Sequence, residues 1–370
     1  MRLPIAARAA MLALLLAAAA CTKSPCSTPA EDNLTLLTPL SLGRPLVPVT
    51  VNGQSIPLLI DTGAAVTVLY PETVRALGLR PDPLRTRDVT GFGGAATAQE
   101  VSVEQLRIGS RNFDGLSLLA LGERPGKGRG GGFLGADLLR QTALELNLPG
   151  DRIALHDAAA CSAPPASWGR DFERIPIVVA PNGLVLLPVQ IGDEVLITLL
   201  DTGATHTSID VAAARRAGMP NSVLSATPSG RSLGVGPNRL PFHLWSVSEM
   251  RIGTERMRNV PVAVHGMPAS SPVDMVLGAD YLARRRLWLS YATQTLYVQT
   301  IVPEQGNFDL ASSREGERMR RLPGERGRAA GARQLAAADW SLDQHLTTLA
   351  ERQPQPHMIA LEDRLLQRRR

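Results

Sequence analysis

Hydrophobic positions first fall into a regular pattern around residue 47. Val47, Val49 and Val51 alternate with other residues, Asn52-Gly53 follows, and an apolar run leads from Ile56 to Ile60. A period of two places successive side chains on opposite faces of a strand, and Asn-Gly suits the left-handed turn of a tight hairpin. The pattern therefore predicts strands over 47–51 and 56–60. The same arrangement returns over 187–191 and 195–200, with Gly192-Asp193 at the turn. Further strands are expected over 100–108, 144–155, 243–252, 260–264 and 287–298. Short helices are expected over 71–77, which opens on a proline, and over 210–217.

The return of the hairpin is part of a longer repeat. Residues 47–63 (VPVTVNGQSIPLLIDTG) align without a gap to 187–203 (LPVQIGDEVLITLLDTG), at an offset of 140. Arg107-Ile108-Gly109-Ser110 returns as Arg251-Ile252-Gly253-Thr254, at an offset of 144. Phe133-Leu134-Gly135-Ala136-Asp137 returns as Val276-Leu277-Gly278-Ala279-Asp280, at 143. Three matches in one order mean a duplicated domain. The expected organisation is a first lobe over 40–160, a linker over 161–172 and a second lobe over 173–302. A charged linker over 303–340 and a helical tail over 341–370 follow. Within the tail, 341–352 and 358–368 are amphipathic, and Ser341 with Gln344 forms a capping-box pattern.

Composition narrows the class. The 370 residues are 44% hydrophobic, too apolar for a disordered chain and enough for two cores. With 33 Gly, 28 Pro and 3 Cys, collagen-like and disulfide-scaffold classes are excluded. A net charge of +5 raises nucleic acid as a partner. Binding of that kind needs basic clusters interleaved with aromatics, and aromatics make up 4% of the chain, so no nucleic-acid partner is expected.

Residues 1–20 read as an export signal. Arg2 and Arg8 precede an apolar run from Ala9 to Ala20, too short to span a bilayer as a helix. Small residues directly before Cys21 also resemble a bacterial lipoprotein signal, in which Cys21 is lipidated and becomes the first residue. Thr22 after it resembles proteins sorted to an outer membrane. The expected location is the cell envelope, facing the periplasm, with membrane contact through the lipid alone. Cleavage after Ala20 to a soluble exported protein is the alternative. Residues 21–39 are expected to link the signal to the first lobe. With Cys21 lipidated, Cys26 and Cys161 remain, either as a disulfide in an oxidising compartment or as free thiols.

The candidate chemistry lies at the ends of the duplicated strands. Asp61-Thr62-Gly63-Ala64 and Asp201-Thr202-Gly203-Ala204 each place an acid at the end of an apolar run. Desolvation there raises a carboxyl pKa. One such loop is a weak signal; two at equivalent positions of a duplicated β-rich unit are a strong one. The chain resembles the pepsin–retropepsin superfamily of aspartic peptidases over residues 40–302. The resemblance rests on the two Asp-Thr-Gly loops, on Gly91-Phe92-Gly93-Gly94 and Gly234-Val235-Gly236, and on Phe133-Leu134-Gly135 and Val276-Leu277-Gly278. It implies a mainly β fold of two retropepsin-like barrels with short helices, arranged as in pepsins but with shorter lobes. It also implies a monomer whose two lobes act as an intramolecular pseudo-dimer.

The resemblance implies that Asp61 and Asp201 activate a water between them to hydrolyse peptide bonds, with a peptide or protein as substrate and no cofactor or metal. Thr62 and Thr202 would bond across the axis, Gly63 and Gly203 would shape the catalytic loops, and Gly135 and Gly278 would pack behind them. Gly91 to Gly94 and Gly234 to Gly236 would be flaps over the substrate. Pro237 in the second flap puts symmetrical gripping in question. The alternative is a binding module or structural envelope lipoprotein that keeps the fold without catalysis.

Other constellations are weaker. Gly126-Lys127-Gly128-Arg129-Gly130-Gly131 fits a nucleotide-loop spacing, but follows no strand-like run and opens no helix. The 6 histidines lack metal-ligand spacing, and no Gly-x-Ser-x-Gly elbow occurs. His206 is expected to be structural or to line the cleft. Asp137 and Asp280 are expected to cap helices.

Overall fold

The computed structural model describes residues 26, 32–37, 44–125, 130–267, 271 and 273–301. The expected signal at 1–20, Cys21, the 126–129 part of the glycine-rich run and the expected tail helices lie outside them. Among the described residues, no helix is long and apolar enough to cross a membrane.

The fold is mainly β, and each repeat forms a closed six-stranded barrel. In the first lobe, Leu46–Val51 pairs antiparallel with Gln54–Ile60 through the expected turn, where Asn52 (φ 46°) and Gly53 (φ 80°) are both left-handed. Gln54–Ile60 then runs parallel to Gly132–Leu134, which pairs with Val68–Leu69. Next come Arg111–Leu121 and Gly94–Ile108, and Gly94–Ile108 returns to Leu46–Val51 to close the barrel. The second lobe repeats this circuit with Val185–Ile191, Glu194–Leu200, Met275–Leu277, Ser208–Asp210, Glu255–His265 and Leu240–Ile252.

A six-stranded antiparallel sheet joins the lobes. Its central pair is Thr142–Asn147 from the first lobe against Arg285–Ser290 from the second, Leu144 opposite Leu289. Asn33–Thr35 forms one edge of this sheet and Glu173–Pro176 the other. The stretch 161–172 is packed against it: Cys161 and Trp168 are buried with Ala143, Trp288 and Tyr297. Cys161 is bridged to Cys26, 135 residues earlier.

Two expectations need correction. The runs 144–155 and 287–298 are hairpins, not single strands. The first breaks at Leu148–Gly150, with Asp151 at φ 50°, and the second between Ser290 and Thr295, with Gln294 at φ 47°. Apolar residues on both sides of these turns hide the break, because the sheet between the lobes buries them all. The expected helices form as Pro71–Ala76 and Val211–Arg216, the latter capped by Asp210, which accepts from the Ala212 and Ala213 amides. The long strands Pro81–Gly91 and Arg111–Leu121 were not anticipated; six consecutive positions of the first are exposed, so it carries little apolar pattern.

Candidate active site

Each Asp-Thr-Gly loop begins where the buried C-terminal end of a strand leaves the barrel. The amide of Asp61 donates to Leu134 O at 3.0 Å, and that of Asp201 to Leu277 O at 3.1 Å. The parallel pairing of each Asp strand with the strand before Gly135 or Gly278 thereby fixes both loops in the same pose. Thr62 and Thr202 are buried where the loops meet. The Thr62 amide donates to Thr202 Oγ1, and the Thr202 amide to Thr62 Oγ1, each at 3.1 Å. The hydroxyls in turn donate across the axis, Thr62 to Leu200 O at 2.8 Å and Thr202 to Ile60 O at 2.6 Å.

This exchange brings the two carboxyl groups together. A Cβ added to Gly203 would lie 2.5 Å from Asp61 Cγ, and one on Gly63 would collide with the Asp201 carboxyl. Only glycine admits that approach. Gly135 and Gly278 lie behind the loops, against the backbones of Val66 and His206 respectively.

The environments of the two acids differ. Asp201 Oδ1 accepts from the amides of Gly203 (2.7 Å) and Ala204 (2.9 Å), whereas Asp61 Oδ1 accepts from Gly63 at 3.0 Å. Each aspartate keeps some contact with solvent, but protein surrounds the carboxyl groups and desolvation dominates. It pushes Asp61 well above the usual carboxylate range, and the neighbouring Asp201 charge and hydrogen bond push the same way. Asp201 is raised too, chiefly by burial, while its two amide donors and the bond to Asp61 oppose the rise. The pair shares a proton and titrates as a unit. The extra amide donor favours an ionised Asp201 with the proton on Asp61.

The flap residues meet above this floor. Gly91 and Gly94 close the hairpin between Pro81–Gly91 and Gly94–Ile108, leaving Phe92 and Gly93 at its tip. The second flap is a longer loop between Gly230–Ser232 and Leu240–Ile252, carrying Gly234, Val235, Gly236 and Pro237. The tips are tied together: the Gly93 amide donates to Val235 O (2.8 Å) and the Asn238 amide to Gly93 O (3.0 Å). Gly91 lies against Val235, Gly234 against Phe92, and Gly93 against Gly236. The Phe92 ring meets His265 edge-on at 4.2 Å between centroids.

Sequence reasoning missed a second layer. Thr67 Oγ1 donates to Asp137 Oδ1 at 2.7 Å and accepts from the Gly135 amide at 3.1 Å. Thr207, Asp280 and Gly278 repeat this at 2.7 and 3.1 Å. Gly135 and Gly278 occupy the helix N-caps, so Asp137 and Asp280 serve chiefly as anchors for the catalytic loops, correcting their expected role. The recurring Asp at both copies was the available signal. His206 borders Asp280 in a small cavity also walled by Phe242 and Leu244. Arg44 was also missed: its Nη1 reaches 3.5 Å from Gly203 O.

Two closed barrels, each giving one Asp-Thr-Gly loop to a shared pseudo-twofold axis, define a two-lobed protein of the retropepsin-like aspartic peptidase class. The sequence model of the family described as aspartyl protease matches residues 47–138 and 187–281, half of the chain, and the chain belongs to that family. Among solved structures, the chain is similar to the aspartic proteinase from Irpex lacteus, at 14% identity and a TM-score of 0.45. The match covers 76% of this chain and 99% of that one. No curated protein matches the chain.

Proposed function

We propose that the protein is an exported aspartic endopeptidase, anchored to the cell envelope by lipid at Cys21, that cleaves a peptide or protein substrate. The observation that carries this reading is the pair of apposed, largely desolvated carboxyls, Asp61 and Asp201, one from each lobe and braced by the same threonine exchange. Ionised Asp201 accepts a proton from a water held between the two groups, and that water attacks the peptide carbonyl. Protonated Asp61 donates to the developing oxyanion, and a proton then passes to the leaving nitrogen. Flap tips held together by hydrogen bonds would exclude bulk water once a peptide is enclosed. The signal-like residues 1–20 and the Cys26–Cys161 bridge support export.

The test is cleavage of a diverse peptide library by the full-length protein in detergent, beside Asp61→Asn and Asp201→Asn. Loss of cleavage in both variants, with unchanged circular dichroism, supports an intramolecular dyad. Cleavage surviving either substitution sinks it.

A further inference from the structure

We propose that Arg44 makes the cleft selective for a substrate carboxylate close to the scissile bond and on one side of it. This deepens the peptidase reading and rests on it. Arg44 lies just before the strand Leu46–Val51 of the first lobe, yet Nη1 is 3.5 Å from the carbonyl of Gly203 in the second lobe's catalytic loop. Gly203 itself packs on the Asp61 carboxyl. The guanidinium therefore crosses the axis between the lobes and stands beside the floor of the cleft.

Its charge acts on the dyad, drawing the pKa of Asp61 and of Asp201 down, but forms no ion pair with either carboxyl. Arg44 is half-buried and has no carboxylate partner among the described residues. Four other buried or half-buried arginines have one: Arg111 faces Asp32, Arg124 faces Glu72, Arg285 faces Glu255, and Arg286 faces Glu145, while half-buried Arg251 is taken up by the Gln190 side chain. A planar guanidinium offers five N–H donors, and one long contact to a carbonyl leaves most of them for a ligand. The matching ligand is a carboxylate, which takes two parallel N–H bonds from this fork.

The charge is also one-sided. The position 140 residues on is Leu184, which packs against the apolar cluster of Leu186, Ile197 and Leu199. Most of the cleft floor is duplicated, as Thr62 with Thr202 and Thr67 with Thr207. Here the duplication is broken, so a carboxylate is favoured on one side of the bond to be cut. An acidic side chain and a free chain end supply the same group.

The test uses full-length protein and peptides acetylated and amidated at their ends, differing by Glu against Gln at each position near the cleaved bond. A further peptide carries Gln with a free C-terminus. In the unmodified protein, one acidic position or the free terminus is expected to raise kcat/KM about tenfold or more. Arg44→Leu, the residue of the second lobe, should bring that ratio to near one, and Arg44→Lys should keep part of it. Because Arg44 also acts on the dyad, absolute rates will shift in both variants; the ratio cancels that effect. No carboxylate preference in the unmodified protein, or one unchanged in Arg44→Leu, overturns the proposal. If no peptide is cleaved, the peptidase reading fails by itself. Calorimetric binding of uncleavable hydroxyethylene peptides with Glu or Gln then reads Arg44 directly, with the same ratio expected and the same equality overturning it.

Discussion

Thr62 and Thr202 each donate a backbone N–H to the other's hydroxyl at 3.1 Å across the axis between the lobes. Each hydroxyl also donates to the carbonyl just before the opposite aspartate, so four buried groups are satisfied by two side chains. Thr62→Val keeps the shape but orphans the Thr202 amide and the Leu200 carbonyl. Each orphan costs about 1–3 kcal/mol. Urea unfolding should show this loss for Thr62→Val and for Thr202→Val, while Thr62→Ser stays near the original stability.

Gly63 and Gly203 face the opposite carboxyls with no room for a methyl group. Gly63→Ala and Gly203→Ala should each separate the dyad and reduce kcat by about a hundredfold or more, since misplacement by about 1 Å can cost that much. A Cβ on Gly122 would meet only the Thr97 carbonyl oxygen, at 4.0 Å, and Gly122→Ala serves as the control expected to retain activity. Full activity in Gly63→Ala would show that the loop yields.

Asp61 and Asp201 both titrate above their ordinary range because burial disfavours charge. An acid raised in the folded state binds its proton more tightly there than when unfolded. Its contribution is therefore best below the unfolded pKa of about 3.9 and declines as pH rises toward the folded value. Asp61→Asn removes that decline. Its melting temperature should exceed the original protein's at pH 7 and approach it near pH 3.5. A lower melting temperature at pH 7 would refute a desolvated dyad.

His265 behaves in the opposite sense. Burial lowers its pKa to about 4, with nearby Asp210 opposing the shift. Its stabilising contribution is complete above the unfolded pKa of about 6.5 and is lost as pH falls toward 4. Phe92 rests edge-on against this ring, so protonation should also loosen the first flap. The protection factor of the Gly93 amide, its exchange rate corrected for the intrinsic pH dependence, should fall between pH 6.5 and 4. In His265→Leu, which installs the residue of the matching first-lobe position, Leu121, that loss of protection should disappear.

Much of the site was legible because duplication repeats local patterns. The hairpins around Asn52-Gly53 and Gly192-Asp193, the acids at the ends of apolar runs and the later Gly-Ala-Asp motifs can all be read within about 20 residues. Those patterns carried the mainly β class, the two lobes and the candidates Asp61 and Asp201. Misreadings came where local pattern is uninformative. Residues 144–155 look like one strand because the sheet between the lobes buries both arms of the hairpin. Pro81–Gly91 is largely exposed and leaves no apolar period to read.

Sequence alone determined which residue types stand at equivalent positions, since alternation, turn chemistry and repetition are properties of neighbours along the chain. Tertiary structure decided which of them meet. The crossed threonine bonds, the Asp137 and Asp280 anchors, the Phe92–His265 contact and the reach of Arg44 to Gly203 all join residues more than 60 positions apart. Such contacts leave no local period, because they arise only when two closed barrels set their matching loops against one axis.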